Sequence, residues 1–382
     1  MPFATPIPMP LPLDPAAADA ARRLLIVRPS ALGDVARSVF AAASIRASFP
    51  SVSVDWLVDR RYADAVSAHP AVHAVVPFDR SRRRSLPTLL RGLRAGGYDT
   101  VLDLQGLARS AVFTRWTGAR RRYGHASARE GAWLAYRPRV GRWPWQDGGS
   151  GSGTEPQGQT STGEHAVHAV QRLLCAAGIE PLRDPRLYPP DEGEARARAA
   201  GVPRGPGVLA VAPTAQWGSK QWPIECWIEL ARAVVPSCFE RLLVVAAPHE
   251  QDRVRPLLDA VPGAVAPSLG VGGAMAAIRG AGLLVGNDSA PLHLAVGLGV
   301  ATVSLFGPTD PGRVGPINFW GATPAGMLSP TRHRVLRAPP PPGLANAASA
   351  DRAYRRLRDD DTWMRGLPVA AVRAAVEAAA PA

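Results

Sequence analysis

Only three cysteines occur in the 382 residues, Cys175, Cys226 and Cys238, and they form neither a CxxC pair nor a metal-ligand spacing. That excludes a disulfide framework or structural zinc site as the organising device, and it points to a reducing cytoplasm. No uninterrupted apolar run approaches the roughly 20 residues that a membrane-spanning helix needs. The opening MPFATPIPMPLPLDP is broken by proline and lacks a basic stretch ahead of an apolar one, unlike a secretory signal. A soluble or surface-bound chain is therefore expected. The sequence also lacks a GxxxxGK[ST] loop, which disfavours a P-loop NTPase, and it has no DxD-type acidic pair beside an apolar run. No groove-reading or base-stacking motif appears, so nucleic acid is not an expected partner.

What is present is ordinary globular material, with 46% hydrophobic and 20% charged residues. The length favours two or three domains. Lys and Arg number 44 against 31 Asp and Glu, a formal charge of +13 that attracts polyanions. Composition alone leaves nucleic acid, an anionic membrane, phosphorylated lipid and a coding bias toward arginine as explanations. Arginines cluster in the first half, at Arg80, Arg82, Arg83 and Arg84 and again at Arg115, Arg120, Arg121, Arg122 and Arg129.

Short β-rich apolar runs alternate with amphipathic stretches. LLIV (24–27), VSVDWLV (52–58), VHAVVPF (72–78) and TVLDLQ (100–105) read as buried parallel strands, and GVLAVAP (207–213), RLLVVAAP (241–248), GLLVGNDS (282–289) and ATVSLFGP (301–308) repeat the plan. The expected fold is α/β, two doubly wound domains with right-handed crossovers. The expected boundaries are a disordered leader (1–21), an N-terminal domain (22–185) with a flexible Gly/Ser-rich insertion (146–163), a linker (186–200), a C-terminal domain (201–320), an irregular tail (321–366) and a terminal helix (367–382).

In such sheets ligands bind outside the carboxyl ends of strands, and every polar motif here falls at such a place. In VRPSALGDVARS, Ser30, Gly33 and Asp34 follow the first strand. Asp34 is either a first-turn carboxylate favoured by the helix dipole or a general base toward a sugar hydroxyl. In LDLQGLARS, Asp103, Gln105 and Gly106 either cap the next helix or hydrogen-bond an acceptor. In PTAQWGSKQWP, Lys220 follows Thr214; it either lays its stem on the neighbouring indoles or neutralises a departing diphosphate. Glu250 in APHE suits a ribose, or is a surface carboxylate. In NDSAPLH, Asp288 is an N-cap or a donor-site acid, Ser289 and Ala290 open a helix whose amides suit a phosphate, and His293 is a core-edge ring or part of the same loop.

Together, SALGDVARS, YDTVLDLQGLARSA, PTAQWGSKQWP, APHE and NDSAPLHLAVGLGVATVSLFGPTDPGR resemble lipopolysaccharide heptosyltransferases of glycosyltransferase family 9 in order and spacing, over about residues 24–315. The resemblance implies a GT-B architecture, two Rossmann-like domains facing across a cleft, with the last helix returning to the first domain. It implies inverting transfer of L-glycero-D-manno-heptose from ADP-heptose to the lipid A–Kdo inner core. Asp34 is then the base and Lys220 the diphosphate contact. Thr214, Glu250, Asp288, Ser289, Ala290 and His293 bind donor, and Ser30, Gly33, Asp103, Gln105, Gly106, Arg82 and Arg129 bind acceptor. No cofactor or metal is implied, and the expected enzyme is a cytoplasmic monomer, peripheral at an anionic inner-membrane surface. A family member with another sugar or acceptor, and a catalytically silent scaffold binding sugar nucleotide, are the alternatives. Two positions depart from the usual pattern: Arg37 stands where histidine is usual, and Ala290 where glycine is common.

Overall fold

A computed structural model describes residues 22–141, 164–316, 332–342 and 360–381. The expected leader and Gly/Ser-rich insertion lie outside these residues. The chain divides into two compact units, one ending at Pro185 and the other beginning at Arg186.

The first unit runs β1 (Arg23–Val27), α1 (Leu32–Ser38), α2 (Phe40–Ser48), β2 (Ser53–Asp59), α3 (Asp64–Ser67), β3 (Ala74–Phe78), α4 (Leu86–Ala95), β4 (Thr100–Asp103), α5 (Ala108–Trp116), β5 (Arg121–His125), β6 (Arg139–Val140) and α6 (Ala166–Ala176). Its six-stranded sheet has the order β3-β2-β1-β4-β5-β6, with every ladder parallel. Strand order reverses between β1 and β4, because the chain winds outward from β1 in both directions. The central strands are buried on both faces, which is why β1 reads as the continuous apolar run LLIV. β5, RRYGH, carries no such run and was not expected. It pairs with β4 through Tyr123, and its arginines are only half-buried.

The second unit runs α7 (Asp191–Ala199), β7 (Gly205–Ala212), α8 (Ile224–Cys238), β8 (Arg241–Val244), α9 (Gln251–Ala260), α10 (Val271–Arg279), β9 (Ala281–Asn287), α11 (Ala290–Gly297), β10 (Ala301–Phe306), α12 (Pro311–Val314) and β11 (His333–Arg337), followed by helices Thr362–Arg365 and Val369–Glu377. Its five strands are again all parallel, in the order β11-β10-β9-β7-β8. Here the reversal falls between β7 and β9.

Three boundaries differ from expectation. The segment expected as a linker, 186–200, contains α7, which packs on α10. A Cβ on Gly193 would stand 2.5 Å from the Gly272 backbone, so glycine is what lets the two helices approach so closely. The tail expected to be irregular supplies β11, paired in register with β10, and the helix Thr362–Arg365. The terminal helix, expected to return to the first domain, groups with the second unit. It packs on α8 with Val372 and Val376 fully buried. Aromatic burial fastens this end: Trp363 is enclosed and its Nε1 donates to Ala338 O at 3.2 Å, while Trp222 Nε1 donates to Leu367 O at 3.0 Å. Each enclosed side chain of this size contributes roughly 2–3 kcal/mol, enough to fix a short helix that propensity alone leaves marginal.

Candidate active site

Asp34 is the third residue of α1, just beyond the carboxyl end of β1 and beside the β1/β4 switch point. Its side chain retains 30% exposure. Oδ2 accepts from the Ala31 amide at 3.4 Å, reaching back over the helix start as a capping acid does. Two guanidinium groups hold the carboxylate: Arg37 donates to Oδ1, and Arg28 lies 3.3 Å from Oδ2. Burial by itself pushes the Asp34 carboxyl up, but Arg28 and Arg37 together outweigh it and bring the pKa down to about 2. Asp34 is therefore an ionised, reachable carboxylate.

Arg28 donates to Leu104 O, and the Ser30 amide donates to Gln105 Oε1 at 3.1 Å, so the β1 and β4 loops are tied together at the reversal of strand order. Further along the same strand ends, Arg172 Nη2 pairs with Glu164 at 2.8 Å and with His125 Nδ1 at 3.1 Å. Burial, then Arg172 and Arg28, push His125 down to about 3, so its ring is neutral. Arg28, His125 and Arg172 escaped the sequence reading: Arg28 is a lone arginine just after β1, His125 closes the arginine-rich β5, and Arg172 sits in the middle of α6, so each looks like solvated charge.

Asp103, expected at the acceptor or as a cap for the next helix, serves its own loop. Asp103 is wholly buried, and its oxygens are committed to the amides of Gln105 (2.9 Å) and Gly106 (3.1 Å), Thr114 Oγ1 (3.3 Å) and Tyr136 Oη (2.8 Å). Burial pushes its carboxyl up. It shapes the loop on which Gln105 sits. Gly106 turns that loop at φ 70° with Ala128 packed against it, and its carbonyl accepts from the Arg129 amide at 3.0 Å. Gly33 lies half-buried in the first turn of α1, and Arg129 is exposed. Arg82 is exposed after the edge strand β3, 3.6 Å from Asp79, and two strands removed from β1.

In the second unit the same logic recurs at the β7/β9 switch. Lys220, in the loop after β7, donates to Asp288 Oδ2 at 2.6 Å and lies over the Trp217 ring at 5.4 Å. Asp288 follows β9, and His293 Nε2 stands 4.0 Å from its other oxygen. Asn287 braces the loop from below: Nδ2 donates to Pro213 O at 2.7 Å, and Oδ1 accepts from the Trp222 amide at 3.2 Å. Ala290 begins α11, with Ser289 as its N-cap. The Ser289 hydroxyl is buried without a hydrogen-bond partner among the described residues, as are those of Ser219 and Thr309. Ser219 and Thr309, on the loops after β7 and β10, were missed because a lone hydroxyl carries no sequence signal. Glu250 Oε2 accepts from Thr214 Oγ1 and the Ala247 amide, each at 2.9 Å, and Oε1 lies 3.9 Å from Arg253. Beside these, Thr214, Gly218, Gln221, Trp222 and Arg253 line a cavity of about 540 Å³. Among the described residues no group of three His, Cys, Asp or Glu is placed to hold a metal.

Each unit thus presents one charged constellation where an open parallel sheet accepts ligands. Comparison with known proteins gives the family and the fold. The model of glycosyltransferase family 9 (heptosyltransferase) matches residues 87–147 and 160–320. Lipopolysaccharide heptosyltransferase 1 of Pseudomonas aeruginosa is 31% identical over 306 residues, 77% of this chain and 81% of that protein. Its namesake in Escherichia coli K12 is 27% identical over 77% and 90%. Among solved structures, E. coli heptosyltransferase WaaC with ADP superposes with a TM-score of 0.61 at 24% identity, covering 88% of this chain and 97% of that one. A family 9 transferase from Veillonella parvula reaches 0.70 at 18% identity, covering 94% and 97%. These two share the α/β, GT-B fold seen here. With more than half its length matched by the family model and a relative 31% identical over most of both chains, this chain belongs to glycosyltransferase family 9, the heptosyltransferases.

Proposed function

We propose that this enzyme moves L-glycero-D-manno-heptose from ADP-heptose to the lipid A–Kdo inner core, inverting the anomeric centre in one displacement. It works as a cytoplasmic monomer, peripheral at the inner membrane, with no metal or cofactor. The observation that carries the reading is the pairing, in one chain, of an ionised accessible carboxylate at one switch point with a lysine beside an unpartnered buried hydroxyl at the other. The relatives support the sugar: two are named lipopolysaccharide heptosyltransferase 1, and WaaC is solved with ADP and with ADP-2-deoxy-2-fluoro heptose.

Asp34 takes the proton of the acceptor hydroxyl as that oxygen attacks the anomeric carbon. The bond to the β-phosphate oxygen breaks, and ADP leaves with the electron pair. Lys220, the Ser289 hydroxyl and the amides opening α11 meet the charge that builds on the diphosphate. Asp288 keeps Lys220 in place until donor arrives, and Glu250 suits the ribose. Arg28, Arg37 and Arg172 suit the anionic groups of a phosphorylated, carboxylate-bearing acceptor. The test offers a panel of nucleotide sugars with purified lipid A–Kdo and reads products by mass spectrometry. A heptose added only from ADP-heptose is expected, and transfer of a different sugar would sink the substrate assignment.

A further inference from the structure

The exposed large hydrophobic side chains among the described residues are unevenly placed. All six lie in the first unit, and four of them, Val112, Trp116, Trp133 and Leu134, fall on two elements packed against each other. Val112 and Trp116 stand four residues apart, on the outward side of α5, whose inward side is closed by Ala111 and Phe113. Trp133 and Leu134 lie on the 3-10 turn Ala132–Ala135, joined to α5 by a small cluster of Ala111, Ala132, Ala135 and Tyr136. Trp116 is 50% and Leu134 66% exposed, so neither takes part in the core.

The charge around these side chains has one sign. Between Gly106 and Gly141 the sequence has eight arginines and a single acid, Glu130. Arg109 and Arg115 share the exposed side of α5 with the two hydrophobics, and Arg139 stacks on Trp133 at 4.5 Å while its Nε donates to Trp133 O. Tryptophan and leucine interleaved with arginine are the composition of a protein surface that settles into the headgroup layer of an anionic bilayer, the apolar side chains entering and the guanidinium groups pairing with phosphates. A protein interface of the same area would pair some of this charge with acids of its own, and this patch has almost none.

We propose that the α5 face, with Trp116, Trp133 and Leu134 as wedges and Arg109, Arg115 and Arg139 as charge contacts, is the surface by which this enzyme docks on an anionic lipid bilayer. The inference deepens the membrane-peripheral part of the proposed function. It does not depend on which sugar is transferred.

The test is co-sedimentation of the full chain with vesicles free of acceptor, made either of phosphatidylglycerol with phosphatidylethanolamine or of phosphatidylcholine alone. Wild type is expected to sediment with the former and to stay in solution with the latter. Trp116→Ser combined with Leu134→Ser should weaken vesicle binding more than ten-fold, and Arg115→Gln or Arg139→Gln about five-fold each. Leu182→Ser, an exposed hydrophobic away from this face, should change nothing. Transfer to a delipidated, water-soluble acceptor should be the same in all of these variants. Equal binding of the wild type to both vesicle types, no binding at all, or full binding by the double variant would each overturn the proposal. So would a change in sedimentation of the double variant from dimer to monomer, which would make the patch a contact between two copies. Vesicle binding without sugar transfer would instead count against the transferase reading and leave the surface standing.

Discussion

Arg37 is the perturbation that reports most on Asp34. Because the folded-state pKa of Asp34 is depressed, the stabilisation from its ion cluster is fully present above the ordinary carboxyl value of 3.8 and is lost as pH falls toward about 2. That interval corresponds to roughly 2 kcal/mol, shared between Arg28 and Arg37. Arg37→Gln removes one charge and its hydrogen bond and leaves burial, which pushes the carboxyl up, opposed by Arg28 alone. The Asp34 pKa should then rise from its depressed value. The assay is kcat/KM against pH with a soluble acceptor. Wild type should stay level on the acid side until the chain unfolds, whereas Arg37→Gln should turn down at a higher pH than wild type, with a change of less than about ten-fold at pH 7, where the base is ionised in both. Arg37→Lys should restore part of the wild-type profile. Superimposable acid limbs in wild type and Arg37→Gln would show that Arg37 does not set the charge state of the group that limits the rate.

Lys220→Ala leaves Asp288 buried without its cation and removes charge from the leaving diphosphate, so kcat/KM for ADP-heptose should fall on the order of 10²-fold or more, with weaker ADP binding by calorimetry. Asp103→Ala strands two amides and two hydroxyls. It should cost about 3 kcal/mol or more in denaturant unfolding, against about 1–2 kcal/mol for Tyr136→Phe. Gly193→Val drives a side chain into the Gly272 backbone and should cost at least about 2 kcal/mol without moving the KM for donor. Dialysis against a chelator should leave transfer unchanged; a lost rate restored by magnesium would place a metal in the reaction.

Strands buried on both faces were readable because each demands an unbroken apolar run: LLIV, VLAV, LLVG and TVSLF announce β1, β7, β9 and β10. β5 and β11 were not readable. RRYGH and HRVLR sit near sheet edges, where arginine stems can cover apolar surface and leave their charges in water, so their composition resembles that of a loop. α7 hid for another reason. DEGEARARA has little apolar surface, and its docking depends on the absence of a side chain at Gly193, which resembles a linker glycine. Asp34, Lys220 and Asp288 stand out in the sequence as candidates because strand-end position and motif coincide. At Asp103 the sequence left a loop-capping acid and an acceptor contact both open, and its complete burial is visible only in the fold. Of the partners of Asp34, Arg37 stands one helical turn on, a spacing visible in the sequence, whereas Arg28 was out of reach in one dimension: an arginine six residues before a carboxylate becomes its neighbour only after the β1–α1 turn has formed.

The central claim is that the Asp34 carboxylate takes the acceptor proton. Asp34→Asn keeps the size of the side chain and removes its basicity, so calorimetry should show ADP binding as in wild type while product formation from ADP-heptose and lipid A–Kdo, followed by mass spectrometry, drops about 10²–10⁴-fold. Product formed at the wild-type rate by a folded, ADP-binding Asp34→Asn enzyme would contradict the account.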